Sequence, residues 1–325
     1  MAKHAYLAAS ASERWLRCPP SAKLCAQEED RGSPYAQQGT DAHELAAYLA
    51  EKALGRNSRD PTENLTWYDA EMQEAAEGYA AFVMEQVAEA KKLCADPLVC
   101  IEQTLDFSKW VEHGFGTGDC VIVADDLLHI VDLKYGVGIL VSASGEDGTG
   151  NSQLKCYALG ALDTFGDLYD IRRIKLSIFQ PRRENVDTFE MTKEDLLKWA
   201  DEVLAPIAKL AYEGLGDFAA GDHCQFCKIK ANCRARAEYS MELAKYEFAE
   251  ARLWMLTRLR RSCRRSTALY PGRRTSKNSL CSRRSPVSVT PGSSWSKAGA
   301  TASTPTKRLW HRSYRLPDTI RMRKS

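Results

Sequence analysis

The chain has 325 residues, enough for one large domain or two small ones, and it contains no apolar run of about eighteen residues, so no membrane-spanning helix is indicated. The formal net charge of +2 hides a sharp division. Residues 252–325 hold 19 of the 45 Lys and Arg residues and only Asp318 of the 43 acids, leaving 26 basic against 42 acidic side chains in 1–251.

The opening MAKHAYLAASASERW lacks the basic-then-apolar layout of a secretory leader. A cytoplasmic protein is therefore expected, one whose eleven cysteines stay reduced unless they hold a metal. Residues 1–24 read as a short helical segment carrying Trp15 and Leu16, ended by Pro19-Pro20. Residues 39–54 (GTDAHELAAYLAEKAL) have helical apolar spacing, with Thr40 or Asp41 as the N-cap and His43 inside an otherwise apolar stretch. A second helix fits 69–94, with Phe82, Val83 and Val87 on one face.

Three strands are predicted next, LVCIEQTLD (98–106), DCVIVAD (119–125) and LLHIVDLK (127–134). The last two lie so close that they form a hairpin around Asp125-Asp126. A Gly- and Ser-rich loop spans 136–150, a helix 153–165, a strand 172–181, and an amphipathic helix 192–213 that opens at Thr192. The order helix, three strands, helix, strand predicts an α/β sandwich with a mixed central sheet and added helices.

From about Leu253 onward no period of 3.6 or 2 persists, and Arg, Ser, Thr and Pro dominate. Such a segment buries too little apolar surface to offset chain entropy, so residues 251–325 are expected to be a disordered basic tail after a folded domain at 1–250. The tail reads either as a nucleic-acid-binding arm or, given how abruptly the composition changes, as frame-shifted sequence.

Two groups of residues carry chemistry. Asp119 and Asp132 fall on the paired strands of the hairpin, and Lys134 follows Asp132 on the same face because strand side chains alternate. The two carboxylates can converge on one Mg²⁺ or Mn²⁺, with Lys134 beside them to stabilise a charged transition state, and the Leu133 carbonyl is a further candidate ligand. Gln153 and Tyr157 lie four residues apart on one face of the helix after the loop. A D-x-K triplet alone is weak, since an exposed ion pair at a strand end has the same sequence; a histidine in an apolar helix is commonly a satisfied core residue.

The second group is Cys224, Cys227 and Cys233, a C-x2-C-x5-C run interleaved with Lys228, Lys230 and Asn232. Three thiolates call for a fourth ligand, which His223 or Cys18 could supply to zinc or to an iron–sulfur cluster. Cys25, Cys94, Cys100, Cys120 and Cys156 sit singly among apolar residues and read as small core side chains.

Together GTDAHE, GTGD, VDLK and QLKCY, in that order, resemble the RecB-like branch of the PD-(D/E)XK nuclease superfamily, and more closely its phage and prophage members, over about residues 8–245. That resemblance implies a restriction-endonuclease-like core, with His43, Asp119 and Asp132 as metal ligands and Lys134 as the catalytic lysine. Gln153 and Tyr157 would match the element that positions the DNA strand. Members with a [4Fe–4S] cluster use one cysteine before the core and three after it, which implies Cys18, Cys224, Cys227 and Cys233 as cluster ligands, structural Zn²⁺ being the alternative. The implied function is a metal-dependent deoxyribonuclease, an exonuclease or single-strand-preferring enzyme, acting on DNA with phage recombination or replication proteins in the cytoplasm of a bacterial host. The rival readings are a non-catalytic DNA-binding or scaffold protein on the same fold and a zinc-stabilised structural protein. The acidic body is awkward for any DNA binder; Arg172, Arg173, Lys175, Arg182 and Arg183 are the candidates for a basic groove.

Overall fold

The computed structural model describes residues 5–29 and 32–247, and the basic tail from 252 lies outside them. Two short helices come first, α1 (Ser12–Arg17) and α2 (Pro20–Ala26). Pro20 begins α2 and does not end α1, because proline at the first helical position gives up only an N–H that had no partner. Helix α3 (Pro34–Ala53) starts a turn earlier than the sequence suggests, capped by Ser33, whose Oγ accepts from Ala36 N at 3.0 Å. Thr40 and Asp41 therefore lie inside the helix, and the buried Asp41 carboxylate accepts from Trp67 N at 2.8 Å and Gln37 Nε2 at 2.8 Å. Asp69 caps α4 (Ala70–Ala90).

The strands are β1 (Leu98–Asp106), β2 (Phe115–Ala124), β3 (Leu127–Leu133), β4 (Arg173–Gln180) and β5 (Asn185–Thr192). They form one five-stranded sheet in sequence order. β3 and β4 run parallel and every other pair antiparallel, so the sheet is mixed as expected. The β2–β3 hairpin turns at Asp125, whose φ of 54° is one an Asp side chain tolerates. β2 begins at Phe115, four residues before Asp119, which places Asp119 inside the strand.

Strand β5 was not anticipated. Its burial alternates residue by residue along an edge strand, and the stretch NVDTFEMT has few large apolar residues to mark it.

α5 (Ser152–Phe165) makes the crossover between the parallel strands, as a parallel connection requires. α6 (Lys193–Trp199) opens on Thr192, whose Oγ1 accepts from Asp195 N at 3.0 Å, and a π-helical stretch (Ala200–Leu204) joins it to α7 (Ala205–Glu213). Pro206, which has no N–H for the helical ladder, accounts for the irregularity at that join. α8 (Arg234–Glu247) closes the described chain.

Strand alternation divides the core in two. Val121, Val123, Leu128 and Ile130 pack with α5, Trp15 of α1 and Leu204. Cys120, Ile122, Val131 and Leu133 pack with α3 and α4 through Leu45, Met72, Tyr79 and Val83. The result is a sheet covered by helices on both faces. No helix of the described residues is long and apolar enough to cross a membrane.

Gly160 of α5 lies against the backbone of β1. A Cβ there would stand 2.9 Å from Leu105 Cβ and 3.1 Å from Leu105 C. Gly160→Ala is accordingly expected to destabilise by about 1–3 kcal/mol, because the contact is with backbone that cannot rotate away. Chemical denaturation with an unchanged m-value and a lowered midpoint would confirm it; an unchanged midpoint would show that α5 can lift off the strand freely.

Candidate metal centre and cysteine cluster

Asp119 and the Asp132–Lys134 pair meet at the end of the β2–β3 ladder. Asp119 Oδ2 accepts from Leu133 N at 2.6 Å, and Asp119 Oδ1 lies 3.1 Å from His43 Nδ1 on α3. Beyond the end of β3 the parallel ladder continues, with Lys134 N donating to Phe179 O at 2.8 Å. That fixes the lysine so that its Nζ sits 2.8 Å from Asp132 Oδ2, on the same face, as strand alternation requires. Leu133, between them in sequence, is buried on the opposite face of the sheet.

α5 supplies the rest. Asn151 caps it by accepting from Gln153 N at 3.0 Å, and Gln153 then bridges three partners. Its Oε1 accepts from Lys134 Nζ at 2.9 Å, while its Nε2 lies 3.1 Å from Asp132 Oδ1 and 3.1 Å from Tyr157 Oη. The GTGD motif has a packing reason as well: a Cβ on Gly116 would stand 2.7 Å from Tyr157 Cε1, so the glycine lets the tyrosine ring lie on the strand. The structure thus brings together His43, Asp119, Asp132, Lys134, Gln153 and Tyr157.

It also adds a residue that the sequence reading missed. Glu102 of β1 falls opposite Asp119 in the strand register, between the pairs Ile101↔Cys120 and Gln103↔Gly118. Its φ of 51° is left-handed, an unusual conformation for a glutamate within a strand. Ligating atoms of His43, Glu102 and Asp119 all lie within 4.8 Å of one another. Asp132 does not belong to this threesome, because its carboxylate is turned toward Lys134 and Gln153. No helical or strand period could have singled out Glu102, one of two acids on β1 in an acidic body.

The electrostatics are those of crowded acids. Burial would lower the His43 pKa, but the Asp119 carboxylate, with Asp132 behind it, raises it to about 9. Burial pushes the Asp119 pKa up, yet His43 and Lys134 outweigh it and hold the group below its ordinary value. At Asp132 burial wins, and its pKa is raised despite Lys134. Glu102 is an exposed side chain, but its carboxyl loses water to the surrounding protein and is pushed up to about 7, first by that desolvation and then by the Asp119 carboxylate. A cleft of about 490 Å³ opens beside His43 and Glu102, with Tyr48, Arg59 and Ile101 on its walls.

The basic groove expected around β4 is mostly neutralised. Arg172 pairs with Asp170, Arg173 with Asp126 at 2.6 Å and Arg182 with Glu71 at 2.8 Å, while Lys175 Nζ donates to Gln86 Oε1 at 3.0 Å. Arg183 alone of the five meets a backbone carbonyl, Val137 O at 3.0 Å, without a carboxylate.

Cysteines from before and after the sheet meet at one place. Cys18, Cys224, Cys227 and Cys233 line one small cavity, together with Arg14, Ser21 and His223. Cys18, Cys224 and Cys227 are buried, and Cys233 is half-buried. His223 turns its Nε2 to Ala219 O at 2.9 Å, leaving Nδ1 buried without a hydrogen-bond partner among the described residues. Cys25 departs from expectation. It is buried as a core thiol should be, but its Sγ lies 3.6 Å from Cys227 Sγ. Cys120 and Cys156 are buried, and burial lifts the Cys156 thiol to about 12, as for inert core residues.

Fold and site together define an α/β protein with a five-stranded, mostly antiparallel sheet and a histidine–carboxylate cluster at the end of its central hairpin. A family model described as "Protein of unknown function (DUF2800)" matches residues 4–267, and the chain belongs to that family. Among solved structures, the chain is similar to one titled "Crystal structure of SSO0001", at 13% identity and a TM-score of 0.26, over 59% of this chain and 96% of that one.

Proposed function

We propose that the protein is a metal-dependent deoxyribonuclease of the PD-(D/E)XK type, RecB-like in its motif order. The observation that carries this reading is the convergence of His43, Glu102 and Asp119 beside the buried Asp132 and its ion pair with Lys134. The donor set suits a hard divalent cation such as Mg²⁺ or Mn²⁺, since three of the four candidate ligands are carboxylates. Asp132 Oδ2 is buried and pairs with the Lys134 ammonium at 2.8 Å, which still leaves it a lone pair for a cation. A divalent cation held there supplies positive charge to phosphate oxygens and makes a water more acidic.

The chain's own residues do the remaining work. Asp119 is fixed by Leu133 N and His43, so it presents one orientation of its carboxylate. Lys134 is held by Gln153 beside Asp132, where its charge would stabilise the transition state of phosphodiester cleavage. Tyr157 holds Gln153 in turn and so positions the lysine indirectly. The test is cleavage of end-labelled linear single- and double-stranded DNA with Mg²⁺ or Mn²⁺, against a chelator control. Cleavage that the chelator abolishes supports the nuclease. DNA binding without cleavage would leave the scaffold reading standing, and neither binding nor cleavage would sink both.

Glu102 gives this reading a check that does not depend on DNA. In the folded chain its carboxyl keeps its proton up to about pH 7, against an ordinary value of 4.5. The folded state therefore binds more protons than the unfolded one between those values, so this group's contribution to stability falls as pH rises through that window. In chelator at pH 8, Glu102→Gln is expected to raise the melting temperature; at pH 4 it should change little. Mn²⁺ at pH 8 should stabilise the wild type and stabilise Glu102→Gln much less. Equal Mn²⁺ shifts in the two proteins would remove Glu102 from the metal set.

We further propose that Cys18, Cys224, Cys227 and Cys233 hold a [4Fe–4S] cluster, with structural Zn²⁺ as the competing occupant. The common cavity they line supports this; His223 borders the same cavity with its Nδ1 unpartnered among the described residues, which is the feature that favours zinc. Four thiolates also suit either occupant chemically. The role would be structural, joining the segment after α1 to the segment before α8.

A further inference from the structure

The cysteine region contains one thiol more than a fourfold site needs. Cys25 does not border the cavity that Cys18, Cys224, Cys227 and Cys233 share. It reaches Cys227 from α2, and the two sulfurs stand 3.6 Å apart across 202 residues of sequence. Both side chains are buried, with exposures of 5% for Cys25 and 6% for Cys227. A sulfur that touches one member of the set from outside the shared cavity is poorly placed as a ligand and well placed to compete for that member.

We propose that Cys25 and Cys227 are a modification site, a reversible disulfide that excludes Cys227 from metal ligation. The pairing itself stands whether or not the four thiols hold a metal; the exclusion rests on the reading above. The chemistry needs an oxidant of the small-molecule disulfide class, RSSR. Cys227, which borders the cavity, loses its proton and attacks one sulfur of RSSR, giving a Cys227–S–SR mixed disulfide and one RS⁻. Cys25 then loses its proton and attacks the Cys227 sulfur, forming Cys25–S–S–Cys227 and releasing the second RS⁻. The two RS⁻ take up the two protons, and two electrons have passed from the protein sulfurs to RSSR. Forming a bond of about 2.05 Å requires the two sulfurs to close the 3.6 Å gap by about 1.5 Å. In a reducing cytoplasm the bond would be transient, forming when the site has lost its metal.

The full chain, stripped by a chelator under reducing conditions and then treated with glutathione disulfide, gives the test by non-reducing peptide mapping with alkylation of free thiols. The expected result is a Cys25–Cys227 linked peptide as the main internal disulfide, with Cys227 alkylation falling at least tenfold. Cys25→Ser, and Cys25→Ala should the serine not fold, is expected to restore Cys227 alkylation. Cys227 joined mainly to Cys18, Cys224 or Cys233, or Cys25 alkylating as fully after oxidation as before, would overturn the proposal. Protein carrying iron or zinc should resist the same treatment; equal disulfide formation in loaded and stripped protein would overturn the exclusion. Disulfide formation in a protein that never binds iron or zinc would uphold the pair and sink the metal reading of the other four thiols.

Discussion

Lys134→Ala is expected to lower DNA cleavage on the order of 10³-fold, the scale of losing one preorganised electrostatic contact in an active site. The fold should survive. Lys134 is one-quarter exposed and stands 2.8 Å from Asp132, which is only 2% exposed in its side chain. Removing the ammonium leaves that carboxylate buried without its counter-charge, an expensive state if it stayed ionised. Burial already raises the Asp132 pKa, so the group can take a proton instead. The melting temperature should therefore move little at neutral pH, and the stabilisation by Mn²⁺ should persist, since a competing positive charge has gone. Gln153→Ala should act more weakly, because it loosens Lys134 without removing it. Initial rates on linear DNA together with thermal shifts in Mn²⁺ separate these effects. Unchanged cleavage in Lys134→Ala would refute the mechanism. Lost Mn²⁺ stabilisation would mean that the lysine shapes the metal site and does not act on the phosphate.

How much of this was legible in the sequence follows from what each element depends on. β1, β3 and α5 announce themselves because their apolar residues repeat with the period that buries them, and their observed limits fall within a residue of those read from the sequence. Asp119, Asp132 and Lys134 were legible because the hairpin is tight, so that local strand geometry alone brings them together. Edge strand β5 was not legible, since half of its residues face solvent and its apolar content is low. The α3 cap was misread for a different reason: Asp41 has a cap-like identity but spends its carboxylate on Trp67 N, a contact set by tertiary packing. Glu102 is the most instructive omission. Its place beside His43 depends on a left-handed residue interrupting β1 opposite Asp119, a feature that no alternation pattern encodes. The spare thiol at Cys25 is similar, because its distance from Cys227 is set by how α2 meets a loop 202 residues away.

Removing the cysteine site should have the largest effect on stability. Cys224→Ala is expected to abolish bound iron or zinc and to lower the melting temperature by about 10–20 °C. The estimate treats the metal as a cross-link: Cys18 and Cys224 close a loop of roughly two hundred residues, worth about 5 kcal/mol in the chain-entropy picture, and each kcal/mol shifts a domain of this size by about 2–4 °C. Cys18→Ala should behave alike, although it lies before the sheet and Cys224 after it, because either loss leaves three ligands and an open cross-link. Cys25→Ser is the discriminating control. It touches Cys227 but does not line the shared cavity, so it should keep full metal content in reduced protein. The measurement is iron and zinc content with a visible spectrum, on protein purified without oxygen, followed by thermal denaturation. A broad thiolate-to-iron absorption lost in Cys18→Ala and Cys224→Ala identifies the cluster; a colourless protein with one zinc per chain identifies the alternative. Metal content that falls in Cys25→Ser and holds in Cys18→Ala would reassign the fourth ligand to α2.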